Sequence, residues 1–140
     1  MYDKPFSLQI ITPTGIAYQG EPVSVSAPGA LGGFQVLYNH APMLSTLGIG
    51  MVTVMDREGQ GTQYAIGGGF LEVKNNTVVV LADTAESATH IDVERATRAK
   101  ERAERRLHSK DPSVDIERAR IAILRALNRM RVASRIEKDA

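Results

Sequence analysis

Three arginines, Arg118, Arg125 and Arg129, recur at spacings of seven and four near the C-terminus. On a helix, that spacing places them along one side. Arg125 and Arg129 would be like charges one turn apart, an arrangement that costs roughly 0.2–0.5 kcal/mol unless an anion answers it. Two readings stay open: a solvated basic face, or contact with an anion or an acidic protein surface. His40 is a second candidate, in the apolar and aromatic loop Leu37-Tyr38-Asn39-His40-Ala41-Pro42-Met43-Leu44. It can sit satisfied in a buried loop, or the loop can dock a protein. Catalysis fits poorly, because no nucleophile, base and orienting group accompany His40 in a recognisable motif. Gly67-Gly68-Gly69 suggests a phosphate loop, but no Gly-Lys-Ser/Thr follows, and the next element reads as a strand. Close backbone approach at a sheet corner is the better account. The chain has no Cys, so thiol nucleophiles, thiolate metal sites and disulfides are excluded.

The elements that must position these residues change character near residue 88. Met1 to Thr89 holds three basic against seven acidic residues and all 12 glycines. From His90 onward there are 14 Lys/Arg against nine Asp/Glu and a strong helical period. The net charges are −4 and +5, so a packed body carries a basic appendage. The expected domains are residues 1–88 and 89–140. The overall +1 gives no generic nucleic-acid affinity to the whole chain. No run of about 18 apolar residues occurs, and the N-terminal MYDKPFSLQII lacks signal-peptide regions, so a soluble, reducing compartment is expected.

Strand-like runs cover Phe6–Thr12, Ile16–Tyr18, Val23–Ala27, Phe34–Leu37, Met51–Met55, Gln63–Ile66, Phe70–Lys74 and Thr77–Leu81, with Leu47–Gly50 and Gly67–Gly69 read as punctuation. Asn75-Asn76 fits a two-residue hairpin turn, since Asn tolerates positive φ. Short strands at close spacing favour a sandwich or flattened barrel. In the appendage, Asp92 can cap a helix whose apolar stripe is Val93, Ala96, Ala99, Ala103 and Leu107. Glu94–Arg98 and Glu101–Arg105 are i,i+4 pairs. Lys110-Asp111-Pro112-Ser113 breaks the helix, with Asp111 or Ser113 capping the next. That second helix carries the stripe Ile116, Ala119, Ala122, Ile123, Ala126, Leu127, Met130 and Ala133. Ile121, Leu124 and Val132 lie opposite it and need a cover. Two Ala-rich stripes predict a close antiparallel helical hairpin.

The chain resembles the epsilon subunit family of bacterial F-type ATP synthases. The matching stretches are Ile10-Ile11-Thr12-Pro13-Thr14-Gly15, Asn39-His40-Ala41-Pro42-Met43-Leu44, Gly68-Gly69-Phe70-Leu71-Glu72-Val73, Val80-Leu81-Ala82-Asp83-Thr84-Ala85-Glu86 and Ala126-Leu127-Asn128-Arg129-Met130-Arg131-Val132-Ala133. The resemblance implies a ten-stranded β-sandwich followed by an antiparallel α-helical hairpin. It implies a non-catalytic rotor subunit of the central stalk, needing no cofactor, on the cytoplasmic face of the bacterial plasma membrane. The sandwich would bind the gamma subunit and the c-ring, and the hairpin would extend into the alpha/beta catalytic head and block ATP hydrolysis. Contact with the membrane would come only through the complex. The resembled family's ATP motif has the form Ile/Leu-Asp-x-x-Arg-Ala, which Ile91-Asp92-Val93-Glu94-Arg95-Ala96 fits at every fixed position. The implied regulatory ATP site is Glu86, Asp92, Arg95, Arg125 and Arg129.

Two departures matter. The family's Gly-Glu-Leu-Gly-Ile reads Gly32-Gly33-Phe34-Gln35-Val36 here, without its acid, and Tyr38-Asn39 replaces a common Pro-Gly. The implied partner-docking residues are Phe34, Tyr38, Asn39, His40, Pro42 and Met43. A nucleic-acid-binding module built on the Arg-rich hairpin is the alternative. The interleaved acids Glu94, Glu101, Glu104 and Glu117, and the lack of an aromatic residue after Phe70, weigh against it.

Overall fold

The computed structural model describes residues 4–139, with side chains to residue 135. The chain divides into two compact units, Met1–Ser87 and Ala88–Ala140.

The first unit is built from β1 (Ser7–Thr12), β2 (Gly15–Gly20), β3 (Ser24–Ala27), β4 (Phe34–Val36), β5 (Met43–Met55), β6 (Gly61–Lys74), β7 (Thr77–Ala82) and β8 (Ala85–Ser87). They form one ladder in the order β2-β1-β7-β6-β5-β3-β4, with β8 on β6. All pairings are antiparallel except β1 with β7, which run parallel from Ser7↔Thr77 to Ile11↔Leu81.

The ladder becomes two layers because β5 and β6 pass from one to the other. On β6 the buried core positions are Tyr64 and Ile66 before the glycines, and Leu71 and Val73 after them, so the inward phase changes. On β5 it changes between Leu47 and Val52. Strands that switch layers bend at such irregularities. Gly68 and Gly69 supply the bend at φ 103° and 149°. A Cβ on Gly69 would run into the Leu81 carbonyl oxygen. Close backbone approach at a corner is therefore what Gly67-Gly68-Gly69 provides.

This corrects two sequence expectations. The glycines at 48–50 and 67–69 lie inside long strands instead of separating short ones. There are eight strands among the described residues, not ten. Counting each half of β5 and β6 as a strand would recover ten, since each half pairs with different neighbours. Short β8 was missed altogether.

Both layers share one core, with Leu8, Ile10, Val78, Val80, Leu71 and Val73 from one side and Val25, Val36, Val52, Val54 and Ile66 from the other. Tyr18 of β2 meets Tyr64 of β6 edge-on, ring centroids 6.2 Å apart, and helps close the sandwich. Asn75 and Asn76 turn β6 into β7 at φ 51° and 56°, the left-handed pair that a tight hairpin needs and that the sequence suggested.

In the second unit a single 3-10 turn (Ala88–His90) leads into α1 (Val93–Leu107) and then α2 (Ile116–Asp139). The seam between the helices is made of small residues: Ala96 and Ala103 on α1 and Ala119 and Ala126 on α2 are buried. Val93, Ile116 and Leu127 were expected on that seam, but they are 46%, 50% and 43% exposed. Alanine seams draw helices close, and the larger residues at the stripe's edges are turned outward. Val132 is fully buried as the sequence required, whereas Ile121 and Leu124 remain exposed.

Candidate functional site

Asp92 begins the hairpin. Its Oδ1 accepts a hydrogen bond from the Arg95 backbone N–H at 3.0 Å, which satisfies an otherwise orphan donor of the first turn. Arg95 is exposed on that turn. The Thr97 hydroxyl approaches the Met130 sulfur at 4.0 Å, so the start of α1 runs beside the α2 segment that carries Arg125 and Arg129. Both of these arginines are half-buried. Arg125 Nε is buried without a hydrogen-bond partner among the described residues. A buried guanidinium N–H left unpaired is costly, so an acceptor is wanted there. Asp92 and Arg95 thus stand in the first turn of α1, while Arg129 lies on α2 next to the Met130 that Thr97 approaches and Arg125 lies one turn further toward the hairpin's tip. Glu86 belongs to the strand unit, in β8 opposite Ala65.

The other end of the hairpin is a basic tip. A cleft of about 370 Å³ is lined by Arg106, Ser113, Val114, Asp115, Arg118 and Ala119. Arg102 and Arg105 line a smaller recess beside it. Among the described residues no carboxylate forms an ion pair with any of these four arginines. The expected Glu101–Arg105 pair does not close. Both residues are exposed and water competes, while the less exposed Lys100–Glu104 pair forms at 3.1 Å. The cap of α2 is Asp115, bonded to the Arg118 N–H at 3.1 Å, instead of Asp111 or Ser113. Those two residues bond each other. Asp111 Oδ1 accepts from the Ser113 N–H at 2.9 Å and from its hydroxyl at 2.8 Å, which holds the Asp111 carboxyl below its ordinary pKa.

The predicted docking residues lie on the strand unit. Phe34 is in β4 and packs on the core. Tyr38, Asn39, His40 and Pro42 form the β4–β5 connection, and Met43 opens β5. His40 is half-buried, its Nδ1 2.8 Å from the Ala41 carbonyl oxygen. Lys4 sits over the Tyr38 ring at 5.2 Å. Asn39 takes φ 65°, the conformation a glycine would adopt freely.

A further surface was missed from the sequence. Direct register pairs run Ile16↔Ile11, Ile11↔Leu81, Leu81↔Phe70 and Phe70↔Thr46 across four strand boundaries. Paired residues share a face, so this is one row on the outer side of the sheet. Ile16, Phe70 and Leu81 are each more than half exposed, and Leu44 beside the row is 70% exposed. The available signal was large apolar residues on the outward phase of alternating strands. A contiguous apolar row of this kind marks a docking face.

Residues 5–88 match the ATP synthase delta/epsilon chain beta-sandwich domain, and residues 90–134 match the ATP synthase delta/epsilon chain long alpha-helix domain. The chain belongs to the ATP synthase delta/epsilon family. Among the family's curated members, the ATP synthase epsilon chain of Desulforamulus reducens is 48% identical over 126 residues, covering 90% of this chain and 95% of that one. The epsilon chain of Moorella thermoacetica is 46% identical over 130 residues, covering 93% and 97%. Among solved structures, a chain of the Euglena gracilis mitochondrial ATP synthase shares the family fold with a TM-score of 0.75 at 24% identity, covering 86% of this chain and 76% of that chain. No group of metal-ligating side chains occurs among the described residues. No described helix is long and apolar enough to cross a membrane.

Proposed function

We propose that this chain is the epsilon-type rotor subunit of a bacterial F-type ATP synthase, a non-catalytic part of the central stalk. The observation that carries the reading is the match of both units, in order and at nearly full length, to curated epsilon chains. The apolar row on the sandwich suits gamma, a partner that stays attached while the rotor turns, because permanent interfaces are the more apolar ones. The loop containing Tyr38, Asn39, His40, Pro42 and Met43, with Phe34 beside it, is assigned to the c-ring. The subunit would reach the cytoplasmic face of the plasma membrane through the complex alone.

The hairpin restrains ATP hydrolysis by entering the alpha/beta catalytic head. Its unpaired tip arginines supply the charge for acidic surfaces there. ATP holds the hairpin in its permissive state through Glu86, Asp92, Arg95, Arg125 and Arg129, and the buried unpaired Arg125 Nε supports an acceptor such as a phosphate oxygen. Nucleic acid is the weaker partner, because Glu94, Glu104 and Glu117 neutralise Arg98, Lys100 and Arg120. Deleting Ile91 to Ala140 tests the regulatory role. ATP hydrolysis by the assembled enzyme should rise with assembly intact, and unchanged hydrolysis at every nucleotide concentration would sink the inhibitory function.

A further inference from the structure

We infer that Asn76, in the β6–β7 turn, is the residue that aims the 37–42 loop at its partner. The Asn39 N–H donates to Asn76 Oδ1 at 2.6 Å. In return Asn76 Nδ2 donates to Asn39 Oδ1 at 3.1 Å. The Asn76 backbone carbonyl also accepts from the Ser7 N–H at 3.0 Å. One residue therefore joins the hairpin turn, the start of β1 and the loop. The bonds made within the loop, His40 N–H to the Leu37 carbonyl at 3.2 Å and His40 Nδ1 to Ala41, give it shape but no direction. Direction comes from outside. The Lys4 ammonium over Tyr38 is exposed and on a flexible stem, whereas Asn76 stands in a tight turn between two paired strands.

The residue types carry the argument further. Asn39 and Asn76 both have φ near 60°. Glycine would meet that requirement at lower steric cost. What asparagine adds at each position is an amide, and the two amides are spent on each other across 37 residues of chain. Asn76 is thus a positioning residue. It keeps the loop in one conformation before docking, and an unlatched loop would bind more weakly by the fraction of time spent misdirected. This inference rests on the assignment of the loop to the c-ring.

The test uses Asn76→Gly and Asn39→Gly in the full chain. Both keep the backbone conformation available and remove the amide. In free Asn76→Gly, exchange of the Asn39 and His40 amide hydrogens should speed about tenfold, with exchange at Leu71 and Val80 unchanged. Asn39→Gly, which retains its own N–H bond to Asn76, should speed His40 exchange less. Asn76→Asp keeps an acceptor for that N–H and should retain most of the protection. Bound to gamma, Asn76→Gly should then show about tenfold weaker affinity for c-rings in lipid nanodiscs. Unchanged exchange in Asn76→Gly overturns the inference, as does faster exchange with wild-type ring affinity. If the wild-type chain shows no ring binding while the exchange differences persist, the docking assignment itself fails, and Asn76 is reduced to a latch within the fold.

Discussion

The strand unit and the helical unit bury different kinds of side chain. The first closes over Leu8, Ile10, Val25, Val52, Ile66, Leu71 and Val80, all essentially inaccessible to solvent. The second closes mainly over Ala96, Ala103, Ala119 and Ala126, with Val132 the one fully buried large residue among those described. Hydrophobic stabilisation scales with the apolar area removed from water, at about 25 cal/mol per Å². The sandwich is therefore built to stay closed, while the hairpin gives up little when its helices part. Local opening is expected where buried apolar contacts are fewest, which would suit the regulatory arm proposed above.

The largest expected effect tests whether the platform is independent of the arm. Leu71→Ala empties a fully buried site and should cost about 2–5 kcal/mol in urea denaturation. The chain truncated after Ala88 should unfold cooperatively and lose the same amount. A difference above about 0.5 kcal/mol between the two backgrounds would couple the units and break the comparison.

Ala126→Leu probes the arm alone. Overpacking the seam should cost about 1–3 kcal/mol, seen as faster amide exchange along α1 and α2, with the strand amides unaffected.

Smaller effects separate cap from ligand. Asp92→Ala should lose about 1 kcal/mol of helix stability even with no ATP present, because it removes the cap. Arg95→Ala and Arg129→Ala put a good helix former at non-cap positions, so they should abolish calorimetric heat with millimolar ATP and leave helicity intact. No heat from the wild-type chain, or equal heat from both variants, would reduce Ile91–Ala96 to a helix start.

The smallest effect is a titration at the tip. Hydrogen bonds from Ser113 hold the folded Asp111 pKa below its unfolded value. Their support of the turn is therefore complete above about pH 5 and is lost as pH falls through the lowered folded value. Exchange at Val114 should quicken only in that acid range. Ser113→Ala keeps the backbone N–H bond and removes the hydroxyl bond, so the Asp111 carboxyl resonance midpoint should move only part of the way up toward the ordinary Asp range, and an unmoved midpoint would remove the hydroxyl as a contributor.

Much of this was legible in residue order. The break near residue 88, the Asn75-Asn76 turn and the helix start at Asp92 follow from local chemistry, because turns, caps and periods are set by neighbours in sequence. The long strands were not legible. Glycine usually ends a strand, and only the inward-phase change across Gly67–Gly69, fixed by the opposing layer, reveals that β6 continues. The outer apolar row was hidden for a similar reason. Ile16, Ile11, Leu81 and Phe70 are scattered over 70 positions and become neighbours only through strand register. Of the candidate nucleotide site, Asp92 and Arg95 came from a local motif, whereas the unpaired Arg125 Nε is visible only once α1 and α2 are packed.

The parallel pairing of β1 with β7 sets an order of events during synthesis. Ser7 to Ile11 must wait for residues 77 to 81, some 70 positions later, before that side of β1 is covered. Closing so long a loop is slow relative to forming β1–β2 or the helical hairpin. While the ribosome is still making the middle of the chain, the nascent N-terminus holds an open strand edge that includes Leu8 and Ile10. That edge is the point at which a half-made chain would pair with the wrong neighbour or recruit a chaperone, and the hazard ends when β7 emerges.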